Sequence, residues 1–220
     1  MRRHRFESVL FVVLLALFLG FFLWQTPALW RGALTPAEID RYVAALEEHL
    51  VQAPAEKAAF IARVREWAAG DDGRPVLLLN LMRYRERLGA LPSSIDFVGS
   101  PLEANAYYEG RVAPLALKRG EYPLVGGAAQ ARSLTPLAPA TDDWDRVVVM
   151  RAPNRRAFIE FMADPAYGPL VPYKAAAAEL VLIQLDAELA VPDLRWLVGF
   201  LLLTLYLAIG WRRAVRARAA

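Results

Sequence analysis

The chain has 220 residues, 56% hydrophobic and 22% charged, with 26 Lys and Arg against 23 Asp and Glu, a net charge of +3 and a pI near 9.3. It contains no cysteine, which excludes disulfides, thiolate metal sites and a cysteine nucleophile. The basicity sits at the ends: without Arg2, Arg3, Arg5, Arg195, Arg212, Arg213, Arg216 and Arg218, residues 31–193 hold 18 basic and 22 acidic side chains, so the middle lacks a basic patch and no nucleic-acid partner is expected.

The first element is an uncharged apolar run from Ser8 to Trp24. As a helix it rises about 25 Å, and Phe6 with a snorkelling Arg5 supplies the rest of a hydrocarbon core of about 30 Å. A basic stretch before an apolar core also describes a signal peptide. The run is long, and Gln25-Thr26-Pro27-Ala28-Leu29-Trp30 offers no small-x-small cleavage site, so an uncleaved anchor is expected. A second run, Trp196 to Trp211, places Trp196, Tyr206 and Trp211 at interface positions and is followed by four arginines. With arginines on the outer side of both runs, the positive-inside rule puts both termini in the cytoplasm and the central domain outside it, on the periplasmic side of an inner membrane. The division predicted is a membrane anchor over 1–30, a helical hairpin over 31–74, a domain over 75–190, and a transmembrane helix with a basic tail over 191–220.

Thr35-Pro36-Ala37-Glu38 reads as a capping box opening a helix over 36–51, with Ile39, Tyr42, Val43, Leu46 and Leu50 as its stripe. Pro54 opens a second helix presenting Phe60, Ile61, Val64 and Trp67, ended by Gly70 and Asp71-Asp72-Gly73. Pro75 to Met82 is a short apolar run that fits a central strand, and 83–101 a polar loop. A helix over 102–118, interrupted at Gly110 and Pro114, leads to a strand over 122–133 with a bulge or a close backbone approach at Gly126-Gly127. Pro136 to Asp143 is a turn, 144–151 a third strand, and Asn154 caps a helix that breaks at Asp164-Pro165. A helical piece over 167–179 and a strand over 180–185 complete a β-α-β-β-α-β order, a ferredoxin-like α+β fold with an antiparallel sheet.

The runs LLLNLMRYRE (77–86), Tyr107-Tyr108, Gly126-Gly127, WDRVVVMRAPNRRAFIEFMADPAYGPL (144–170) and LVLIQL (180–185) resemble an uncharacterised family of the dimeric α/β-barrel superfamily, which also holds EthD-like, NIPSNAP-like and antibiotic-biosynthesis-monooxygenase-like proteins. The resemblance covers about 75–187. It implies a homodimer whose sheets pack together and a pocket between sheet and helices in each protomer. Some relatives oxidise or rearrange small aromatic molecules without a metal, and others bind or degrade haem. No histidine follows His49, so the haem-ligating histidine of those branches is missing.

Asn80 is the strongly polar residue of an otherwise apolar strand, and alternation puts it on one face with Val76, Leu78 and Met82. A buried amide needs partners or a ligand, which makes Asn80 the first candidate for orienting a small apolar or aromatic ligand. Arg83 and Tyr84 follow it, as anion forks or as surface groups. Tyr107, Tyr108 and Tyr167, with Tyr122 and Tyr173, either line a pocket or pack in the core or a dimer contact. Trp144 and Arg151 bracket the third strand, either as a pocket's packing wall and an anion clamp or as core packing and a surface ion pair, and Arg155-Arg156 looks like a solvated helix start. His49 beside Glu47 and Glu48 is read as a solvated polar face rather than a metal site. There is no phosphate loop, HExxH or GxSxG, so no metal, haem or other cofactor is expected. The functions compatible with these features are a membrane-anchored domain binding a small ligand or partner, a cofactor-independent enzyme acting on a small aromatic or carbonyl compound, and a structural subunit of a membrane complex.

Overall fold

The computed structural model describes residues 2–50, 54–130, 132–134, 142–185 and 193–219, without the side chains of residues 2–4, 49 and 217–219. The chain divides into two compact units, 1–29 with 187–220, and 30–186.

The first unit is a pair of apolar helices, α1 (Arg2–Trp24) and α8 (Leu194–Ala219). Over Arg5–Trp24 and Leu194–Arg216 both are long and apolar enough to cross a membrane. Their contacts run in antiparallel order. Arg195 donates to Thr26 Oγ1 at 2.7 Å and lies over Phe22 at 5.4 Å, Gly199 faces Phe18, Phe11 meets Tyr206 edge-on at 5.7 Å, and Arg213 lies over Phe6 at 4.1 Å and 3.9 Å from Glu7. A Cβ at Gly199 would come within 3.0 Å of the Phe18 ring, so the glycine sets how closely the helices approach.

The second unit is α+β. A four-stranded antiparallel sheet consists of β1 (Val76–Tyr84), β2 (Tyr122–Ala128), β3 (Arg146–Ala152) and β4 (Ala178–Leu185), in the order β2-β3-β1-β4. The α helices of this unit are α3 (Pro36–His49), α4 (Pro54–Ala69), α5 (Pro101–Lys118), α6 (Arg155–Met162) and α7 (Val171–Ala177). A short α2 (Ala28–Arg31) begins before Trp30. α3 opens with the expected capping box, in which Thr35 and Glu38 satisfy each other's backbone N–H, and α5 opens with another formed by Ser100 and Glu103.

The first core joins the α3/α4 hairpin to α5 and α6. Ile39, Val43, Leu46, Val64, Ala68, Ala116, Ile159, Phe161 and Met162 are buried together, with Tyr42, Leu50, Ile61 and Trp67 packed against them. Phe60, expected on that face, is 38% exposed. Arg156 is 1% exposed and inserted into the contact between hairpin and α6, where it donates to Glu38 Oε1 at 2.6 Å, Glu38 Oε2 at 3.0 Å and the Ala33 carbonyl at 3.0 Å. Arg155 donates to the Trp67 carbonyl at 2.7 Å. The solvated helix start predicted for Arg155-Arg156 is therefore wrong, because Asn154 begins α6 underneath the hairpin.

Several boundaries move. β1 runs on to Tyr84, so Arg83 and Tyr84 lie within the strand and the loop begins at residue 85. α5 is continuous through Gly110 and Pro114. β2 ends at Ala128, and its irregularity falls between Pro123 and Val125, where proline has no N–H for the ladder, rather than at Gly126-Gly127. β3 starts at Arg146, and β4 starts at Ala178 because Ala177 ends α7. The 136–143 turn lies mostly outside the described residues.

Antiparallel register sorts the sheet into two faces. Val76, Leu78, Asn80, Met82 and Tyr84 of β1 share one face with Val148 and Arg146 of β3. Helices cover this face, and Met82 is buried with Ala104, Ala177 and Ala178. Leu77, Leu79 and Leu81, with Val147, Val149 and Ile183, share the other. None of these six is buried, Ile183 is 46% exposed, and Val125 beside Val149 is 61% exposed.

Candidate functional site

Between the helix-covered face and the helices lies a group of polar side chains from four elements. β1 supplies Asn80 and Tyr84, β3 Arg146, α5 Asn105, Tyr108 and Glu109, and α7 Lys174. Asn80 is 8% exposed and makes two long hydrogen bonds, donating from Nδ2 to its own strand's Leu78 carbonyl at 3.4 Å and accepting from Lys174 Nζ at 3.4 Å. Lys174 lies with its ammonium 5.1 Å from the Tyr108 ring centroid. Among the described residues no carboxylate contacts it. Burial pushes its pKa down to about 8, with Glu109 opposing and Arg146 reinforcing the shift.

Glu109 is occupied elsewhere. It accepts from Arg146 Nε at 2.9 Å and Nη2 at 2.8 Å, and from Asn105 Nδ2 at 2.9 Å. The same Asn105 amide donates to the Tyr84 hydroxyl at 3.1 Å. Asn105 is 2% exposed, yet its carbonyl oxygen has no hydrogen-bond partner among the described residues. Burial raises the pKa of both Tyr84 and Tyr108, so both phenols keep their protons at neutral pH. The centre is thus rich in donors: an ammonium, phenols and amides.

Tyr108 links this centre to a second buried group. Its hydroxyl lies 3.3 Å from the Tyr167 hydroxyl, and Glu121 stands near both. α5 ends at Lys118, and Gly120, at φ +79°, turns the chain so that Glu121 N–H bonds back to the Ala116 carbonyl at 3.0 Å and its side chain enters the interior. Glu121 is 2% exposed with Oε1 unpartnered among the described residues, and burial pushes its pKa up to about 8.

Of the residues singled out from the sequence, Asn80, Tyr84, Tyr108 and Tyr167 fall in or beside this centre. Arg83 is on the opposite sheet face, where it pairs with Asp143 at 2.6 Å and with Glu179 and lies over the Trp144 ring at 5.8 Å. Arg151 is also on that face, 4% exposed and over the Tyr122 ring at 5.5 Å. Tyr107 lies outside the centre in an aromatic group with Phe97 and Tyr173, 4.6 Å from the latter. The side chain of His49 lies outside the described residues.

Asn105, Glu109, Glu121 and Lys174 were missed, since Tyr107-Tyr108 drew attention to aromatic rings and the helix carrying Lys174 reads as alanine-rich. A usable signal was present. Of 26 basic residues only Lys57, Lys118 and Lys174 are lysines, so a lysine where the chain elsewhere uses arginine marks a cation able to lose its proton. Among the described residues no three of His, Cys, Asp and Glu are grouped to hold a metal ion. Two surface clefts, about 380 Å³ beside Arg41, Arg119 and Asp164 and about 290 Å³ beside Arg85, Gly89 and Pro172, do not include Asn80.

No family model and no curated protein matches the chain. Among solved structures it is similar to RPA0582, a protein of unknown function from Rhodopseudomonas palustris, with 28% identity and a TM-score of 0.51 over 60% of this chain and 94% of that one. The methylated form of RPA0582 gives 29% identity and a TM-score of 0.50 over 61% and 93%. SnoaB, a cofactor-independent oxygenase from Streptomyces nogalater, matches with 15% identity and a TM-score of 0.35 over 55% of this chain and 99% of that one.

Proposed function

We propose that the chain is a membrane-anchored domain of the ferredoxin-like, dimeric α/β-barrel type that holds a small ligand bearing an acceptor oxygen between its sheet and its helices. One observation carries the reading: Lys174, Asn80 and Asn105 bring an amine and two amides into the layer between β1, α5 and α7 with hydrogen-bonding capacity left unused. A polar cluster kept only for structure is normally satisfied within the fold. The nearby Met82, Val148, Tyr84 and Tyr108 favour an aromatic or branched apolar body on the ligand. Benzamide, which has an aromatic ring and an unreactive carbonyl, tests this. Full-length protein in detergent should bind it saturably in ligand-observed NMR, and Asn80→Leu and Lys174→Met should lose binding while keeping wild-type circular dichroism. Wild-type protein that shows no saturable binding sinks the reading.

The ferredoxin-like assignment rests on the strand order β2-β3-β1-β4, with α5 connecting β1 to β2 and α6 and α7 connecting β3 to β4. The dimer rests on the apolar sheet face. The hairpin, the competitor for covering it, packs on α5 and α6 instead. A face lined by Leu77, Leu79, Leu81, Val147 and Val149 then needs a second copy. Leu79→Lys should convert a detergent-solubilised dimer to a monomer in light scattering, and a monomeric wild type overturns the dimer.

The antiparallel order of α1 and α8 supports a membrane hairpin with both ends on one side, and the flanking arginines make that side cytoplasmic. A periplasm-dependent reporter inserted at Ser94 should be active. Activity there of a cytoplasm-dependent reporter reverses the topology.

A further inference from the structure

Lys174 is set apart from the other cations of the second unit by what surrounds it. Among the described residues its ammonium has one hydrogen bond, the 3.4 Å contact with Asn80 Oδ1, and no carboxylate partner. The groups facing it come from three elements. From α5, the Tyr108 ring and Glu109 favour the charged form; from β3, Arg146 opposes it; from β1, Asn80 offers a neutral dipole. Glu109 gives little, because Arg146 already holds both of its oxygens. Burial therefore decides, and brings the amine into the range where a useful fraction is unprotonated at neutral pH.

We propose that Lys174 is an amine nucleophile that captures a small aldehyde or ketone as a reversible imine. This rests on the ligand-binding reading above and adds the reactive class of the ligand. In the first step the amine lone pair forms a C–N bond to the carbonyl carbon, the C=O π pair moves to oxygen, and the proton lost by nitrogen is taken up by that oxygen. In the second the carbinolamine loses its hydroxyl with one further proton as water, and C=N forms. Amine and carbonyl become imine and water with no change of oxidation state, so no oxidant, metal or cofactor enters the balance. The surroundings suit both steps. Tyr84, whose hydroxyl accepts from Asn105 and keeps its own proton, is a donor for an oxygen gaining charge, and the apolar residues around it limit the water that would reverse the second step. Arginine could not serve here, since a guanidinium stays protonated.

The experiment uses full-length protein in detergent with benzaldehyde and cyanoborohydride at pH 7, followed by peptide mass spectrometry. Lys174 should be benzylated about tenfold faster than Lys57 and Lys118, the other two lysines of the chain. The rate should saturate with benzaldehyde, and the adduct should vanish in Lys174→Arg. Labelling of Lys174 no faster than the other two, labelling that does not saturate, or no label at Lys174 overturns the proposal. Benzamide binding without an adduct removes the nucleophile and leaves the binding reading intact, whereas loss of both removes both.

Discussion

Arg156 at the head of α6 and Lys174 in α7 both carry a cation away from water, and the two surroundings are opposite in kind. Among the described residues Arg156 makes three hydrogen bonds, two of them to a carboxylate, and leaves only Nε without a partner. Its fork is spent on fixing the hairpin to α6. Among the described residues Lys174 makes a single long hydrogen bond, to a neutral amide. A permanent charge is buried only against a matching counter-charge, whereas a titratable one can be buried poorly partnered because it can become neutral. The first arrangement holds the fold together and the second leaves chemical capacity in it.

The largest expected effect belongs to the first. Glu38→Ala removes the counter-ion of Arg156 and the N3 side chain of the α3 capping box, leaving the guanidinium 1% exposed and uncompensated. Stability measured by chemical denaturation of the full chain should fall by about 3 kcal/mol. The carboxyl of Glu38 is held well below the usual range, chiefly by the Arg156 hydrogen bond, so its contribution is present above the ordinary Glu value and is lost as pH falls. A loss under about 1 kcal/mol would make the pair ornamental and break the contrast with Lys174.

Glu121 sharpens the comparison from the acidic side. Its folded pKa is pushed up to about 8 from an ordinary 4.5, so between these values the folded chain holds a proton that the unfolded chain has released. This term is fully favourable below about pH 4.5 and is lost as pH rises towards 8. Glu121→Gln should flatten that decline. Relative to wild type, the variant should gain on the order of 3 kcal/mol at pH 9 and almost nothing at pH 4 in denaturant midpoints. An equal offset at both pH values would mean that the carboxyl finds a charge partner in solution.

These two residues also show what the sequence could reveal. The stripe Ile39, Val43, Leu46, the caps at Thr35 and Asn154 and the alternation around Asn80 depend on neighbours within a few positions, and all were readable. Arg156 and Glu38 are 118 residues apart, Lys174 and Asn80 are 94 apart, and nothing local marks either pair. Arg156 was therefore misread as solvated and Lys174 was overlooked. Arg83 and Arg151 were attractive as anion forks, yet strand alternation puts both on the face opposite Asn80 once the register is known. Periodicity could find the apolar layers; partnership of charges required the fold.

The smallest effect tests whether Asn80 acts on Lys174 or only fills space beside it. Both of its hydrogen bonds measure 3.4 Å, at the weak end of the range, so Asn80→Leu should change stability by no more than about 1 kcal/mol. The amine is another matter, because the Asn80 carbonyl dipole is, among the described residues, the one neutral group that accepts from the ammonium. Removing it leaves burial and Arg146 opposed only by the Tyr108 ring and an already paired Glu109, so the charged form weakens further. The pH midpoint of Lys174 benzylation should then move below its wild-type value near 8, by roughly half a unit, as expected for loss of one weak hydrogen bond of about 0.7 kcal/mol. Lys57 and Lys118 serve as internal references. A midpoint that stays in place while benzamide binding is lost would assign Asn80 to the ligand alone, and a midpoint that rises would mean that leucine lets water reach the amine.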